Sequence, residues 1–574
     1  MLRDRLKILL LLVSGFLSTR NLAAETLDNA LKNCNAESFQ ALPEAQKLPF
    51  LSDAPFSCLY FLWTYQSETA PVWTKSKLLV YVNRLEQNLT LPQLRNIFFV
   101  TRLGFYHESR DPELARSLKE IKPLLQERLR PNAAQLLPWK NNSKEYLETL
   151  NELIALIDTS WLSPAFTQEI KSTLDALTKN PELHTNNRGI QDLSFSLMYL
   201  LQRACYEPAF CDKIDSKDLA NLKTLAQDHS LTTEQNYFLI NNSIWSLSAV
   251  AAYKASARAE VNAIFSDLLQ TYSRKDEAYL WIVKGFSRVT DCLELKGSRK
   301  ICKSEEKEEI KQKLFAQTFQ YSNPNITFFT SLSKDRIDAL VHEAGLVDKQ
   351  FFALIGKNAK PVTNDKNTQL KVYLYQSKKD YDTYHNFLFD LSTNSGGIYL
   401  EEISTFFTYD RKESESLYSM TELFKHEYSH YLIGRYLVEG EWGKAQIYAD
   451  NRMVWFDEGL AEFLAGANSG PHVDFRPSLS KQILSDSVQG QNLLTIRNIL
   501  HSSYTGDFKF YRYAAAFFQF LYDKDRNLLA NILRSVKKGD TKDFDAIREK
   551  LASDSTLENN FRNHLNLLNS KAVL

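Results

Sequence analysis

The chain of 574 residues has no net charge, because 69 Lys and Arg residues cancel 69 Asp and Glu. No global field therefore draws it to nucleic acid or to an anionic lipid surface. Glycine and proline, 18 and 16 residues, are too few for a low-complexity chain, and nothing suggests disorder beyond the ends. After residue 24 no apolar stretch is long enough to cross a bilayer. Cysteine is scarce, at six residues, and none has the C-x-x-C spacing of a redox pair or a zinc cluster. Histidine is scarce too, at 10 residues, so a close pair of them is informative.

What is present starts at the N-terminus. Residues 1–24 combine a basic beginning (Arg3, Arg5, Lys7), an apolar run over 8–17, and the small residues Ala23 and Ala24 before Glu25. That is the pattern of a secretory signal peptide, with Leu22 at the position where a small residue is usual. A membrane anchor is the alternative, but the apolar run is too short to span a bilayer. The expected product is exported, secreted or periplasmic, and monomeric, with no integral membrane segment after cleavage. In such a protein the neighbouring cysteines Cys34 and Cys58, Cys205 and Cys211, and Cys292 and Cys302 read as three local disulfides.

The informative histidines are His426 and His430, in Phe424-Lys425-His426-Glu427-Tyr428-Ser429-His430-Tyr431-Leu432. Residues 418–438 read as one helix, which sets the two imidazoles one turn apart on one face, able to grip a single Zn²⁺. Glu427 then faces the open side of the metal as general base. A second partial match, His342-Glu343, lacks its second histidine and should bind nothing. A catalytic zinc needs a third protein ligand. The extended H-E-x-x-H-x-x-G-x-x-H pattern fails at Ile433 and Tyr436, and the next histidine is His472. The stretch Trp455-Phe456-Asp457-Glu458-Gly459-Leu460-Ala461-Glu462 offers a carboxylate instead. Helical spacing puts Glu458 and Glu462 on one face, Glu458 as ligand and Glu462 to accept the free N–H of a ligand histidine. Asp457 should point off that face, and Glu439 and Glu441 fall in a turn too soon after the first helix.

These motifs, with Gly396-Gly397-Ile398-Tyr399-Leu400-Glu401 and Thr405-Phe406-Phe407-Thr408-Tyr409 before them, resemble in order the peptidase unit of bacterial collagenases. The resemblance implies zinc endopeptidase activity, with His426, His430 and Glu458 as ligands and Glu427 as base. It also implies a helical activator domain upstream of a thermolysin-like peptidase domain. Glu401 matches a glutamate that binds a structural Ca²⁺ in these enzymes; Glu402 beside it leaves that assignment open, and a plain surface carboxylate is the alternative. Gly396 and Gly397 are expected to bind substrate, since residues without a Cβ let a peptide backbone approach an edge strand. A tyrosine hydroxyl is expected to help hold the oxyanion, with Tyr504, Tyr511 and Tyr513 as candidates and Tyr504 first because it lies in a loop.

Around the motifs the expected fold is multidomain. Residues 25–311 read as an all-α, solenoid-like array, with helices over 91–105, 112–121, 143–159, 163–178, 190–205, 233–256, 257–273 and 276–286. A charged stretch over 296–313 reads as linker. Residues 312–574 read as an α+β zinc peptidase domain, with strands over 326–330, 370–375, 397–400 and 405–409, and helices near 335–345, 379–389, 510–522, 527–536, 541–552 and 555–568. Because the sequence stops soon after these helices, gelatin or unstructured peptides are expected as substrates before fibrillar collagen. Two other readings stand beside this one. A zinc aminopeptidase would place its third ligand near Ala449, whereas Glu458 lies farther on. A non-catalytic binding protein or adhesin would use the helical array, and no motif residue is lost to favour it.

Overall fold

Apolar residues at helical spacing fill the first half of the chain, and the computed structural model packs them into a row of helices. It describes residues 31–572 apart from 66–68, 138, 140, 181–182, 234, 296–298, 364, 417, 471, 489–492 and 505–507. The expected signal peptide, 1–24, lies outside the described residues, as do 296–298 of the charged stretch. The chain divides into two compact units that meet at Ser304 and Glu305.

In the first unit the helix Leu91–Tyr106 packs on Lys144–Thr159, that on Arg188–Ala204, that on Tyr237–Tyr253, and that on Glu277–Phe286. Each helix touches its neighbours in the row, so the core is built locally. Several helices start on side-chain caps, such as Thr90 with Gln93 and Asp215 with Asp218. One helix is longer than its sequence suggests: Pro112–Leu136 runs through Pro123 and Pro131. Each proline costs one backbone hydrogen bond, and burial of Leu125, Leu129 and Ala133 beyond it offsets that loss. Three disulfides join Cys34 to Cys58, Cys205 to Cys211, and Cys292 to Cys302. The last closes a hairpin of β1 (Cys292–Glu294) and β2 (Lys300–Cys302). The charged stretch is therefore not an unstructured linker at its described residues; it continues into a helix, Lys303–Leu314.

The second unit is built on five strands, β3 (Gln317–Ser322), β4 (Asn325–Thr330), β5 (Leu370–Tyr375), β6 (Gly397–Leu400) and β7 (Thr405–Tyr409), in the order β3-β4-β5-β7-β6. The middle three are parallel, and β3 and β6 are antiparallel edges. Sequence patterning misses β3, whose inward residues Phe319 and Tyr321 are only partly buried and whose remaining residues are polar. Helices α1 (Lys334–Ile355) and α2 (Lys378–Phe389) connect the strands. After the sheet come α3 (Met420–Tyr436), α4 (Val454–Leu464), α5 (Pro477–Val488), a short helix Ile496–Leu500, α6 (Lys509–Lys524) and three further helices ending at Ala572. The core joins Phe328, Leu370 and Phe406 of the sheet to Phe424, Leu432, Leu460 and Phe517 of the helices. Among the described residues no helix is long and apolar enough to cross a membrane.

Candidate metal centre

Helix α3 begins with a capping box in which Ser419 accepts from the Glu422 N–H and Glu422 accepts from the Ser419 N–H. Phe424, Tyr428, Leu432 and Ile433 are buried on its inner side. Tyr428 donates to Asp348 of α1 at 2.8 Å, and Lys425 donates to the Ala467 carbonyl at 2.8 Å and pairs with Glu343 at 2.5 Å. Glu343 of the lone His342-Glu343 dipeptide thus helps anchor α3. With that face fixed, His426, Glu427 and His430 are left to line a cleft of about 1050 Å³.

Helix α4 brings the third group. It packs against α6 closely enough that a Cβ on Gly459 would lie 2.7 Å from that of Ala514. This approach holds Glu458 over the histidines, its Oε2 3.4 Å from His426 Nε2 and 3.5 Å from His430 Nε2. The two Nε2 atoms are 3.0 Å apart. His426 Nδ1 lies 3.2 Å from Glu462, and His430 Nδ1 lies 3.5 Å from Asp457. A carboxylate beside each Nδ1 puts the proton there, which leaves both Nε2 lone pairs and the Glu458 carboxylate turned on one another. Such an arrangement of acceptors fits a cation between them, and two imidazole nitrogens with one carboxylate oxygen are a donor set that suits Zn²⁺.

Charge follows the same geometry. Burial opposes charge on His430, yet the Glu458 and Asp457 carboxylates hold its imidazole well above the usual range. Burial likewise opposes charge on Glu458, but the two histidines hold it well below the carboxylate range. Glu427 is pushed up by burial, with the histidines pulling the other way.

Tyr504 donates to Glu458 Oε1 at 2.6 Å, and burial with the Glu458 charge pushes its hydroxyl well above the usual tyrosine range. Its hydroxyl is therefore engaged by the Glu458 carboxylate. Tyr511 stacks on His426, ring centroids 6.3 Å apart, and also lines the cleft. Tyr513 is buried and donates to Asp486 at 2.9 Å, outside the lining of the cleft.

Asp457 corrects the sequence reading. It was expected off the shared face, but it is 4 % exposed and reaches His430. Neighbouring residues on a helix lie about 100° apart, and the two histidines are a turn apart, so α4 meets them over a wider face than one ridge. Sequence reasoning also misses Arg476, buried beyond α4, which pairs with Glu462 and lies 3.5 Å from Glu422 of the α3 cap. Nothing in the local pattern of Arg476 marks it; only the fold brings it beneath Glu462.

On the opposite wall the edge strand β6 runs along the cleft, with Gly397 to Leu400 in its lining. The absent Cβ of Gly396 does not face that opening, while that of Gly397 points at Leu423, itself part of the lining. A Cβ on Gly396 would lie 2.8 Å from the Arg411 guanidinium, and one on Gly397 would lie 3.0 Å from both Leu423 and Phe406. Glu401, at the end of β6, packs against Gly434 of α3 and accepts the Trp442 N–H at 2.7 Å. Burial pushes its carboxyl up to about 7. Glu402 is exposed. Glu441 lines the mouth and pairs with Lys444, away from the histidines.

A family model described as Collagenase, of the M9 peptidases, matches residues 267–564. The chain is similar to collagenase ColQ1 of Bacillus cereus, 30% identical over 338 residues, covering 58% of this chain and 34% of the relative. Collagenase ColT of Clostridium tetani is 29% identical over 349 residues, 59% of this chain and 34% of the relative. A microbial collagenase of Vibrio alginolyticus is 23% identical over 545 residues, 91% of this chain and 63% of the relative. The chain thus spans about a third of the length of the first two.

Proposed function

Since this chain belongs to the collagenase family of M9 peptidases, we propose that it is an exported zinc metalloendopeptidase acting on collagen-derived, gelatin-like or unstructured polypeptides. The observation that carries the reading is the convergence of His426 Nε2, His430 Nε2 and Glu458, each histidine backed by a carboxylate, beside Glu427 in an open cleft. His426, His430 and Glu458 would hold Zn²⁺. When bound there, Zn²⁺ supplies a Lewis acid that polarises the scissile carbonyl and acidifies water.

The remaining steps belong to the chain. Glu427 takes a proton from the attacking water and delivers it to the leaving amine, a task suited to a carboxyl whose pKa burial has raised. Tyr504 steadies Glu458, and Tyr511, stacked on His426 and also turned toward the Glu458 carboxylate, is the second cleft hydroxyl placed to meet the developing oxyanion. Glu462 and Asp457 fix the tautomers of the ligand histidines, and Arg476 fixes Glu462. Strand β6 has a free edge on the cleft and would pair with an extended peptide, which aligns the backbone with little regard to sequence. We read the unit as thermolysin-like and the upstream row as a solenoid that assists the peptidase.

Calcium at Glu401 is a further part of the reading, supported by a half-buried carboxylate packed against Gly434 of α3. The test is hydrolysis of a peptide blocked at both ends, which an aminopeptidase cannot attack. Cleavage that requires both Glu427 and zinc supports the endopeptidase; cleavage of free-amine peptides alone would move the assignment to an exopeptidase.

A further inference from the structure

Arg411 is nine-tenths buried, 8 % exposed, just after β7. Among the described residues no carboxylate pairs with it, and its hydrogen bonds converge on the start of the neighbouring edge strand. One terminal nitrogen donates to the Gly396 carbonyl at 2.5 Å and to Thr408 Oγ1 at 3.2 Å; the other donates to Ser416 Oγ at 3.2 Å. Thr408 donates to the same Gly396 carbonyl at 2.9 Å, and the guanidinium is stacked on Tyr409, 4.8 Å from the ring centroid. The Gly396 carbonyl is thus turned inward, and Ser395 and Gly397 line the cleft while Gly396 does not.

The glycine at 396 has a spatial cause. Its φ is not in the left-handed region, so the backbone conformation does not demand glycine. What demands it is the guanidinium, one nitrogen of which lies 2.8 Å, and the other 3.3 Å, from where a Cβ would stand.

We propose that Arg411 is a positioning residue of the peptidase site: it turns the Gly396 carbonyl out of the cleft so that the peptide-pairing edge begins at Gly397, and Gly396 is glycine to admit that guanidinium. This rests on the reading of β6 as the strand that pairs with substrate. Without Arg411 only the Thr408 hydroxyl, at 2.9 Å, still holds the Gly396 carbonyl, so that the carbonyl is less firmly turned from the cleft and an extended peptide could slip along the edge relative to Glu427.

The test is a double-mutant cycle in the full chain with R411Q, G396A and R411Q/G396A, read by KM and kcat on a long blocked peptide and by Tm. R411Q and G396A are each expected to raise KM about tenfold, with kcat changed less, and to lower Tm. In the R411Q background G396A is expected to add less than about twofold and no further loss of Tm, since groups in contact are not additive. Equal cost of G396A in both backgrounds would overturn the proposal and return the glycine to a role of its own at the substrate. Should R411Q not fold, R411K serves the same cycle, because lysine lacks the forked second nitrogen. If the wild type cleaves no peptide, the peptidase reading fails, while the Tm cycle still reports on the Arg411–Gly396 contact.

Discussion

The Glu458 carboxylate faces both histidines on Oε2 and accepts from Tyr504 on Oε1, with the Tyr511 hydroxyl also turned toward it. Tyr504→Phe is therefore expected to weaken zinc binding by about 10–100-fold, the usual cost of losing a residue that orients a ligand. Titration of the apo-protein with zinc measures it. Tyr511→Phe is expected to weaken zinc binding less than Tyr504→Phe, whose hydroxyl lies 2.6 Å from Glu458, and to lower kcat by about a hundredfold, as for loss of one oxyanion donor. If the two variants exchange these signatures, the roles given to the tyrosines are reversed. The residue scale was largely legible in sequence for His426, Glu427, His430 and Glu458, because local spacing governs them. Asp457 and Arg476 were not, because their parts depend on the crossing of α3 and α4 and on a segment that returns from beyond α4.

At the scale of elements, the site depends on how closely α4 approaches α6 and how β6 meets α3. Gly459→Ala would drive a Cβ into Ala514 and is expected to cost about 1–3 kcal/mol in chemical denaturation. It should weaken zinc binding with it, because α4 carries Glu458. Glu401 joins β6 to α3 and to the Trp442 loop. Its folded pKa, about 7, stands above its ordinary value of 4.5. Between those values the unfolded chain releases a proton that the folded chain keeps. Stability should thus fall as pH rises from about 4.5 to about 7 and level off above, by about 3 kcal/mol in all. Calcium bound at Glu401 would offset that loss, so Tm at pH 8 should rise with Ca²⁺ in the wild type and not in Glu401→Gln. A Tm indifferent to Ca²⁺ would remove the site from the account. Most of these elements were readable from apolar periodicity, β5, β6 and β7 with their observed ends. The edge strand β3, helix α5 and the part of α1 beyond residue 345 escaped it; β3 is half exposed and α5 carries mostly polar residues.

At the scale of the molecule, all three disulfides lie before Ser304, whereas the residues proposed to hold zinc lie after it. The two units therefore differ in what holds them. Reduction is expected to lower the thermal transition of the first unit, by about 2–5 kcal/mol for each bond lost, and to leave peptide hydrolysis at the zinc site unchanged when measured below that transition. Zinc removal is expected to shift the transition of the second unit alone, by linkage. The measurement that bears most directly on the central claim is cleavage of a blocked Gly-Pro-rich peptide and of gelatin by the wild type and by Glu427→Ala, with and without a zinc chelator. The account predicts cleavage by the zinc-loaded wild type, loss of about a thousandfold or more in Glu427→Ala despite retained zinc, and recovery of chelated wild type on adding Zn²⁺. No cleavage by folded, zinc-loaded wild type, or activity that survives loss of Glu427, would contradict it.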